Sequence, residues 1–467
     1  MSQLTFYGAT GTVTGSRHFL QLNNNNYLID CGMFQGKKEN RLKNWEPFPI
    51  PVKEINRFFL THAHIDHSGF FPRLVKDGYR GPVHCTHATR DLCNILLMDS
   101  AHLQEEDAFW ANKKGYSKHS PALPLYTTAD AEKALNLFQP KFYGEDYFIE
   151  DGIRVKFKDA GHILGSSFVE FKTSNGSNTR KILFSGDMGR PRSTVLRDPT
   201  QVFNVDYLVL ESTYGDRLHD NGDPAAELAR VINTSVERGG VLVIPSFAVG
   251  RTQTLLYVLR ELEEAGKIPA LPVYVDSPMA IKTTDVFDKH QADFNLPSRI
   301  LTLDNKDIFQ PKNLHIARTR EQSIMINDIP KNAIIISASG MATGGRILHH
   351  LEVRLPNPKN TVLLIGYQAE GTRGRTIEQG NATVKIHGQD IPINAHIEKI
   401  TGYSGHADYN EILAWLMGFN RPPQKTFIVH GEPEASASLA EKIRSRFKWD
   451  VVIPEYGSSY ELDMGNF

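Results

Sequence analysis

The chain has few cysteines: Cys31, Cys85 and Cys93 are the three among 467 residues, and no two form a C-x-x-C pair. A disulfide framework is therefore excluded, and a reducing, cytoplasmic location is expected. No apolar stretch reaches the roughly 18 residues from which a membrane span is read, so no membrane partner is expected. The opening MSQLTFYGATG lacks a basic segment followed by an apolar run, which argues against a secretory leader. An excess of one charge is missing too, since 52 Lys and Arg against 53 Asp and Glu leave a formal net charge of -1. There is no global basic field, and a nucleic-acid substrate would need positive charge local to a groove. Internal repeats, low-complexity tracts and long charge blocks are absent. What is present, 40% hydrophobic and 22% charged residues, is ordinary for a globular protein. The length exceeds one ordinary core, so two or three domains are expected.

Two rhythms alternate along the chain. Up to about residue 208, short strands such as Leu4–Tyr7, Phe19–Leu22, Tyr27–Asp30, Arg57–Thr61 and Ile153–Lys158 are separated by turn signals at Asn23–Asn26, Asp151-Gly152 and Asn175-Gly176. Helical spacing of Leu92, Ile95, Leu96 and Leu103 predicts a long helix from Thr89 to about Lys114. From about residue 205 the pattern becomes βαβα: VDYLVLES, GGVLVIPS, LPVYVDS and AIIISASG alternate with amphipathic helices. That rhythm indicates a parallel sheet covered on both faces. The last ninety or so residues return to the first style with KTFIVHG. One α/β domain inserted into another is the simplest layout.

FFLTHAHIDHSG carries His62, His64, Asp66 and His67 in the pattern H-x-H-x-D-H. Residues two apart on an extended chain point the same way, so His62 and His64 can grip one ion. Asp66 and His67 follow at the strand end, where they can turn toward a second. Four such groups beside an apolar strand are costly to leave unpaired, and imidazole with carboxylate suits zinc or a similar divalent metal. Three further polar residues stand at the ends of apolar strands beside glycine: His162 in DAGHILGSS, Asp187 in ILFSGDMG and His430 in TFIVHGE.

These motifs, with GATGTVTGS, ESTYGDR, PSFAVGRTQ, SGMATGGR, SGHADY and VHGE, resemble the metallo-β-lactamase superfamily over nearly the whole chain. Within it the chain resembles the β-CASP branch, in particular the bacterial and archaeal relatives of the pre-mRNA 3′-end cleavage endonuclease. The resemblance implies an αββα sandwich in residues 1–208 and 381–467, with an inserted β-CASP α/β domain in residues 209–380. It implies two zinc ions (Zn2+), with Mn2+ the alternative: one held by His62, His64 and His162, the other by Asp66, His67 and His430, bridged by Asp187. Asp30 in YLIDCG matches a motif whose carboxylate orients ligands from behind. The catalytic set implied is Asp66, Glu211 and His406, with His406 as general acid toward the departing 3′ oxygen and Glu211 as its carboxylate partner.

In this family histidine at the His430 motif goes with RNA and valine with DNA, so single-stranded RNA is the expected substrate. Arg251, Ser337, Ser339, Gly340 and Thr343 are the expected phosphate or RNA contacts, since SASGMATGGR joins a strand to a helix and can present N–H groups and hydroxyls. Arg373 and Arg375 in EGTRGR are further candidates, although the family more often has an aliphatic residue where Arg373 stands. The sequence leaves open a homodimer through a strand edge of the metallo-β-lactamase domain, and cutting internally or from the 5′ end. Two other readings compete: a metallo-β-lactamase-fold hydrolase of a small-molecule ester or thioester, and a non-catalytic RNA-processing subunit. The first gives ESTYGDR and SGHADY no purpose, and the second sits badly with a full ligand set.

Overall fold

The computed structural model describes residues 2–465 apart from 116, 176, 177, 221 and 304–306. Gly176, of the expected Asn175-Gly176 turn, lies outside the described residues. The chain divides into two compact units, one of Met1–Pro191, Asp198–Leu218 and His406–Phe467, the other of Arg192–Arg197 and His219–Gly405.

In the first unit, alternation along the strands builds two seven-stranded sheets. Ile153–Asp159 shows how: Ile153, Val155 and Phe157 are buried, while Arg154, Lys156 and Lys158 between them are only partly covered. The inward set meets Phe171, Phe184, Val209 and Phe427 of the same sheet and Leu4, Phe6, Tyr27 and Phe59 of the other, forming one core. Phe59, Phe157 and Phe171 are fully buried, each stabilising the sandwich by about 2–3 kcal/mol. The outer face of the second sheet, with Phe168, Leu183, Leu208 and Ile428, is covered by Leu413 and Trp415 of helix Tyr409–Leu416 and by Leu439 and Ile443 of helix Pro433–Phe447. Helix His87–Lys114 packs on the first sheet at Val83–Thr86 and Phe138–Lys141, and Thr128–Leu135 packs against that helix. The result is an αββα sandwich. The predicted long helix is present as His87–Lys114, begun by the Thr86 hydroxyl on the Thr89 N–H and ended by left-handed Gly115.

The second unit is a six-stranded sheet in the order Leu314–Ile316, Val273–Asp276, Ala333–Ser337, Val241–Pro245, Thr361–Ile365, His396–Ile400, parallel throughout. Its three central strands are buried along their whole length, as the continuous apolar runs require.

Two boundaries differ from expectation. The strand Tyr207–Glu211 belongs to the first unit, lying parallel between Asn178–Phe184 and Lys425–Val429. An apolar strand reads the same whichever sheet receives it, so the expected break at 208 falls before the 218 observed. At the other end His396–Ile400 completes the second unit's sheet beside Thr361–Ile365, carrying that unit to Gly405 instead of 380. This edge strand is mostly exposed and polar, HIEKI, and lacks the apolar run that marked its neighbours. Among the described residues, no helix is long and apolar enough to cross a membrane.

Candidate active site

In the first unit the strands that carry the expected functional residues release them at one end. Asp30 follows Asn25–Ile29 and the histidine motif follows Arg57–Phe59. His162 follows Ile153–Asp159, Asp187 follows Asn178–Phe184, Glu211 ends Tyr207–Glu211 and His430 follows Lys425–Val429. Asp30 and His430 turn out of their strands with φ of 58° and 51°, a left-handed conformation that costs non-glycine residues energy and clusters at functional sites. Close approach is secured by glycines. A Cβ on Gly32 would overlap the Asp66 carbonyl, and one on Gly189 the Gly161 carbonyl.

The seven expected metal-ligating side chains converge in two groups. In the first, His64 Nδ1 lies 3.1 Å from His62 Nε2 and 3.2 Å from His162 Nε2. In the second, His430 Nε2 lies 3.2 Å from His67 Nε2 and 3.3 Å from an Asp66 oxygen. Asp187 stands between them: its Oδ2 is 3.4 Å from His62 Nε2 and its Oδ1 is 3.2 Å from His67 Nε2. One ligand atom from each member of either group lies within 4.8 Å of the others.

Burial above all pushes the His62 imidazole down to about 3 and that of His64 to about 4, so both stay neutral at pH 7 as ligands must. Burial likewise holds His162 well below its ordinary value. Burial also works against charge on His67, but Asp187 and Asp30 outweigh it and raise that imidazole well above its ordinary value. Asp66 is held below the carboxylate range, against the effect of burial, by His430 and His67.

The supports behind these groups are specific. Asp30 accepts from His67 Nδ1 at 2.7 Å and from the Thr61 amide and hydroxyl at 2.8 and 2.9 Å. It thereby turns His67 Nε2 toward the cluster. Glu211 is fully buried. It accepts from the Met188 N–H and the Thr213 hydroxyl, and both its oxygens lie 3.1 Å from His406 Nδ1. Burial lowers His406 and the Glu211 carboxylate raises it, leaving its pKa above the ordinary histidine value. The His406 ring is 4.5 Å from that of His162.

Thr213 escaped the sequence reading. Its hydroxyl joins Glu211 to His430 Nδ1 at 3.1 Å, and the signal was its position two residues beyond Glu211 in ESTYGD. Ser16, 3.3 Å from His67 Nε2, also escaped it.

The expected RNA contacts lie in the second unit. Ser339, Gly340 and Thr343 follow the central strand Ala333–Ser337, at the carboxyl end where parallel sheets receive ligands. Ser339 Oγ accepts from the Thr343 N–H at 2.9 Å, and Thr343 is exposed. Gly340 is packed against Phe247, where a Cβ would not fit. Arg251 opens helix Arg251–Glu264 and is partly exposed. Ser337 is a correction: it is buried, and its hydroxyl donates to the Asp276 carbonyl at 2.8 Å, so it presents nothing to a phosphate. Arg373 is spent within the unit on the carbonyls of Lys385 and Thr343, and Arg375 pairs with Glu378.

Family models match the metallo-β-lactamase superfamily over residues 15–238, the β-CASP domain over 252–377 and a Zn-dependent metallo-hydrolase RNA specificity domain over 390–454. The ribonuclease TTHA0252 of Thermus thermophilus is 36% identical over 452 residues, which cover 97% of this chain and 98% of that one. The chain belongs to the β-CASP branch of the metallo-β-lactamase superfamily. This β-CASP protein is also 31% identical to the transcription termination factor FttA of Methanosarcina mazei, over 96% of this chain and 69% of that one. A protein of unknown function from Enterococcus faecalis shares its fold with a TM-score of 0.56 at 12% identity, over 99% of this chain and 100% of that one.

Membership makes the protein a metal-dependent hydrolase, and the cluster fits a divalent metal. Asp187 Oδ1 is buried and has no hydrogen-bond partner, although imidazole nitrogens face it. A buried carboxylate so placed among metal-ligating imidazoles is satisfied by cations.

Proposed function

We propose that this β-CASP hydrolase is a zinc-dependent ribonuclease that cleaves single-stranded RNA and leaves a 3′ hydroxyl and a 5′ phosphate. The observation that carries the reading is the Glu211–His406 pair, 3.1 Å apart, standing beside a seven-residue imidazole and carboxylate cluster divided by Asp187. His62, His64 and His162 with Asp187 would hold one ion, and Asp66, His67 and His430 with Asp187 the other. Divalent ions bound there would neutralise phosphate charge and activate the attacking water.

The protein's own groups do the rest. His406, its Nδ1 held by Glu211, would give a proton from Nε2 to the 3′ oxygen as water attacks phosphorus and the P–O bond breaks. Glu211 fixes the ring and favours its charged form, and Thr213 fixes Glu211 in turn. Asp30 orients His67 from behind. The thiolate leaving group of a thioester would have little need of a buried carboxylate–imidazole pair poised to protonate it, whereas an alkoxide-like 3′ oxygen does.

RNA, and not DNA, is supported by the RNA specificity domain and by the named activity of the Thermus thermophilus relative. Ser339, Gly340, Thr343 and Arg251 are the candidates for contacts to backbone phosphates. Three free, buried cysteines favour action in the reducing cytoplasm.

The test is incubation of zinc-loaded protein with 5′-labelled single-stranded RNA and the matching DNA, with product ends mapped over time. Cleavage of RNA alone, with 5′ phosphates on the downstream products, is expected. Intact RNA with two ions bound would overturn the proposal and return weight to a non-catalytic RNA-processing subunit or a small-molecule hydrolase.

A further inference from the structure

The second unit carries another group of metal-ligating side chains. Helix Ile347–Arg354 presents His349 and Glu352 one turn apart on one face. The strands Thr383–Ile386 and Gln389–Pro392 form a hairpin whose two-residue tip is His387-Gly388. The tip brings the His387 ring to 4.6 Å from that of His349, and His387 Nδ1 lies 2.9 Å from a Glu352 oxygen. One ligand atom from each of the three lies within 4.8 Å of the other two. All three remain accessible: His349 and His387 are exposed and Glu352 is partly so.

We propose that His349, Glu352 and His387 form a site for a divalent transition cation of the zinc class, which ties the hairpin to the helix. Two imidazoles and one carboxylate are the donors that Zn2+ accepts, with a water completing four-coordination, whereas hard cations such as Ca2+ and Mg2+ prefer oxygen.

Two observations set the cluster apart from an ordinary surface ion pair. His387 and Gly388 have φ of 48° and 86°, the left-handed pair of a tight hairpin turn, whose first position favours Asn, Asp or Gly. A histidine there is a small local cost, and an exposed pair with Glu352 returns little against it. The second imidazole is the other observation. An ion pair between His387 and Glu352 has no use for His349, whose ring nonetheless stands 4.6 Å from that of His387. Burial and then His387 keep His349 below its ordinary pKa, in the neutral form that coordinates.

This inference is independent of the ribonuclease reading. The full-length protein is equilibrated with micromolar free Zn2+ and its zinc content per chain measured beside that of His387→Asn and His349→Ala. Asn suits the turn at 387, and 349 is an exposed helical position, so both variants should fold. The expected result is one Zn2+ more per chain in the wild type than in either variant, with cleavage rates unchanged. Zn2+ should also slow amide exchange across Thr383–Pro392 in the wild type alone. Equal zinc content in all three proteins would overturn the site.

Discussion

At the scale of single residues, Asp187 and His406, 4.0 Å apart between Oδ2 and Nδ1, should fail differently. Asp187 offers one carboxylate oxygen to each half of the cluster, 3.4 Å from His62 and 3.2 Å from His67. Removing it leaves two sets of ligands without their shared anion, so Asp187→Ala should lose metal and activity together. Metal analysis after gel filtration checks this, and retention of both ions would remove the bridging role. His406 is tied to Glu211 and lies outside both ligand groups. His406→Ala should therefore keep its metal while cleavage slows by roughly 10²–10⁴-fold, the scale of a general acid. A variant with wild-type rate would take His406 out of the chemistry. Asp187 is legible in sequence because a polar side chain ending an apolar strand needs a reason, whereas His406, in the loop before helix Tyr409–Leu416, is reached only through the family resemblance. Ser337 shows the limit: its hydroxyl is consumed by the carbonyl of Asp276 on a neighbouring strand, a pairing that register alone decides.

At the scale of elements, the site is a set of strand ends kept together by close backbone approach. The loop after Asn25–Ile29 packs through Gly32 on the Asp66 carbonyl, and the Cys31 N–H donates to the His67 carbonyl at 2.7 Å. The obstacle to a side chain at 32 is backbone, which cannot swing aside. Gly32→Ala should cost about 1–3 kcal/mol, as overpacking does, and should displace Asp66 and His67 together. The expected readout is a lower Tm with a loss of metal, and unchanged values of both would show that the loop yields. The histidine motif betrayed these strand ends through its two-residue period, and continuous apolar runs betrayed the parallel sheet. Membership of a particular sheet left no such mark. Tyr207–Glu211 is buried on both faces and could have been claimed by either sheet, and the polar edge strand His396–Ile400 looked like loop.

At the scale of the whole molecule, acid should act through histidines that the fold buries in neutral form. His84 lies in strand Val83–Thr86 with its ring 5.1 Å from Phe59, and burial, followed by Lys141 and Arg57, pushes its pKa down to about 4. Burial pushes His18 lower still, to about 3. The unfolded chain protonates such groups near 6.5, so between that value and about 4 it binds protons that the folded state refuses. Stability is therefore fully present above pH 6.5 and falls as the pH drops, by up to about 1.4 kcal/mol per pH unit for each such group. His84→Leu removes one of them at nearly constant volume. Urea unfolding of chelator-treated protein, with metal loss removed from the balance, should give a shallower decline between pH 6.5 and 4 for His84→Leu than for the wild type. Parallel declines would mean that His84 takes up its proton in the folded state as readily as in the unfolded chain, and that acid sensitivity arises elsewhere.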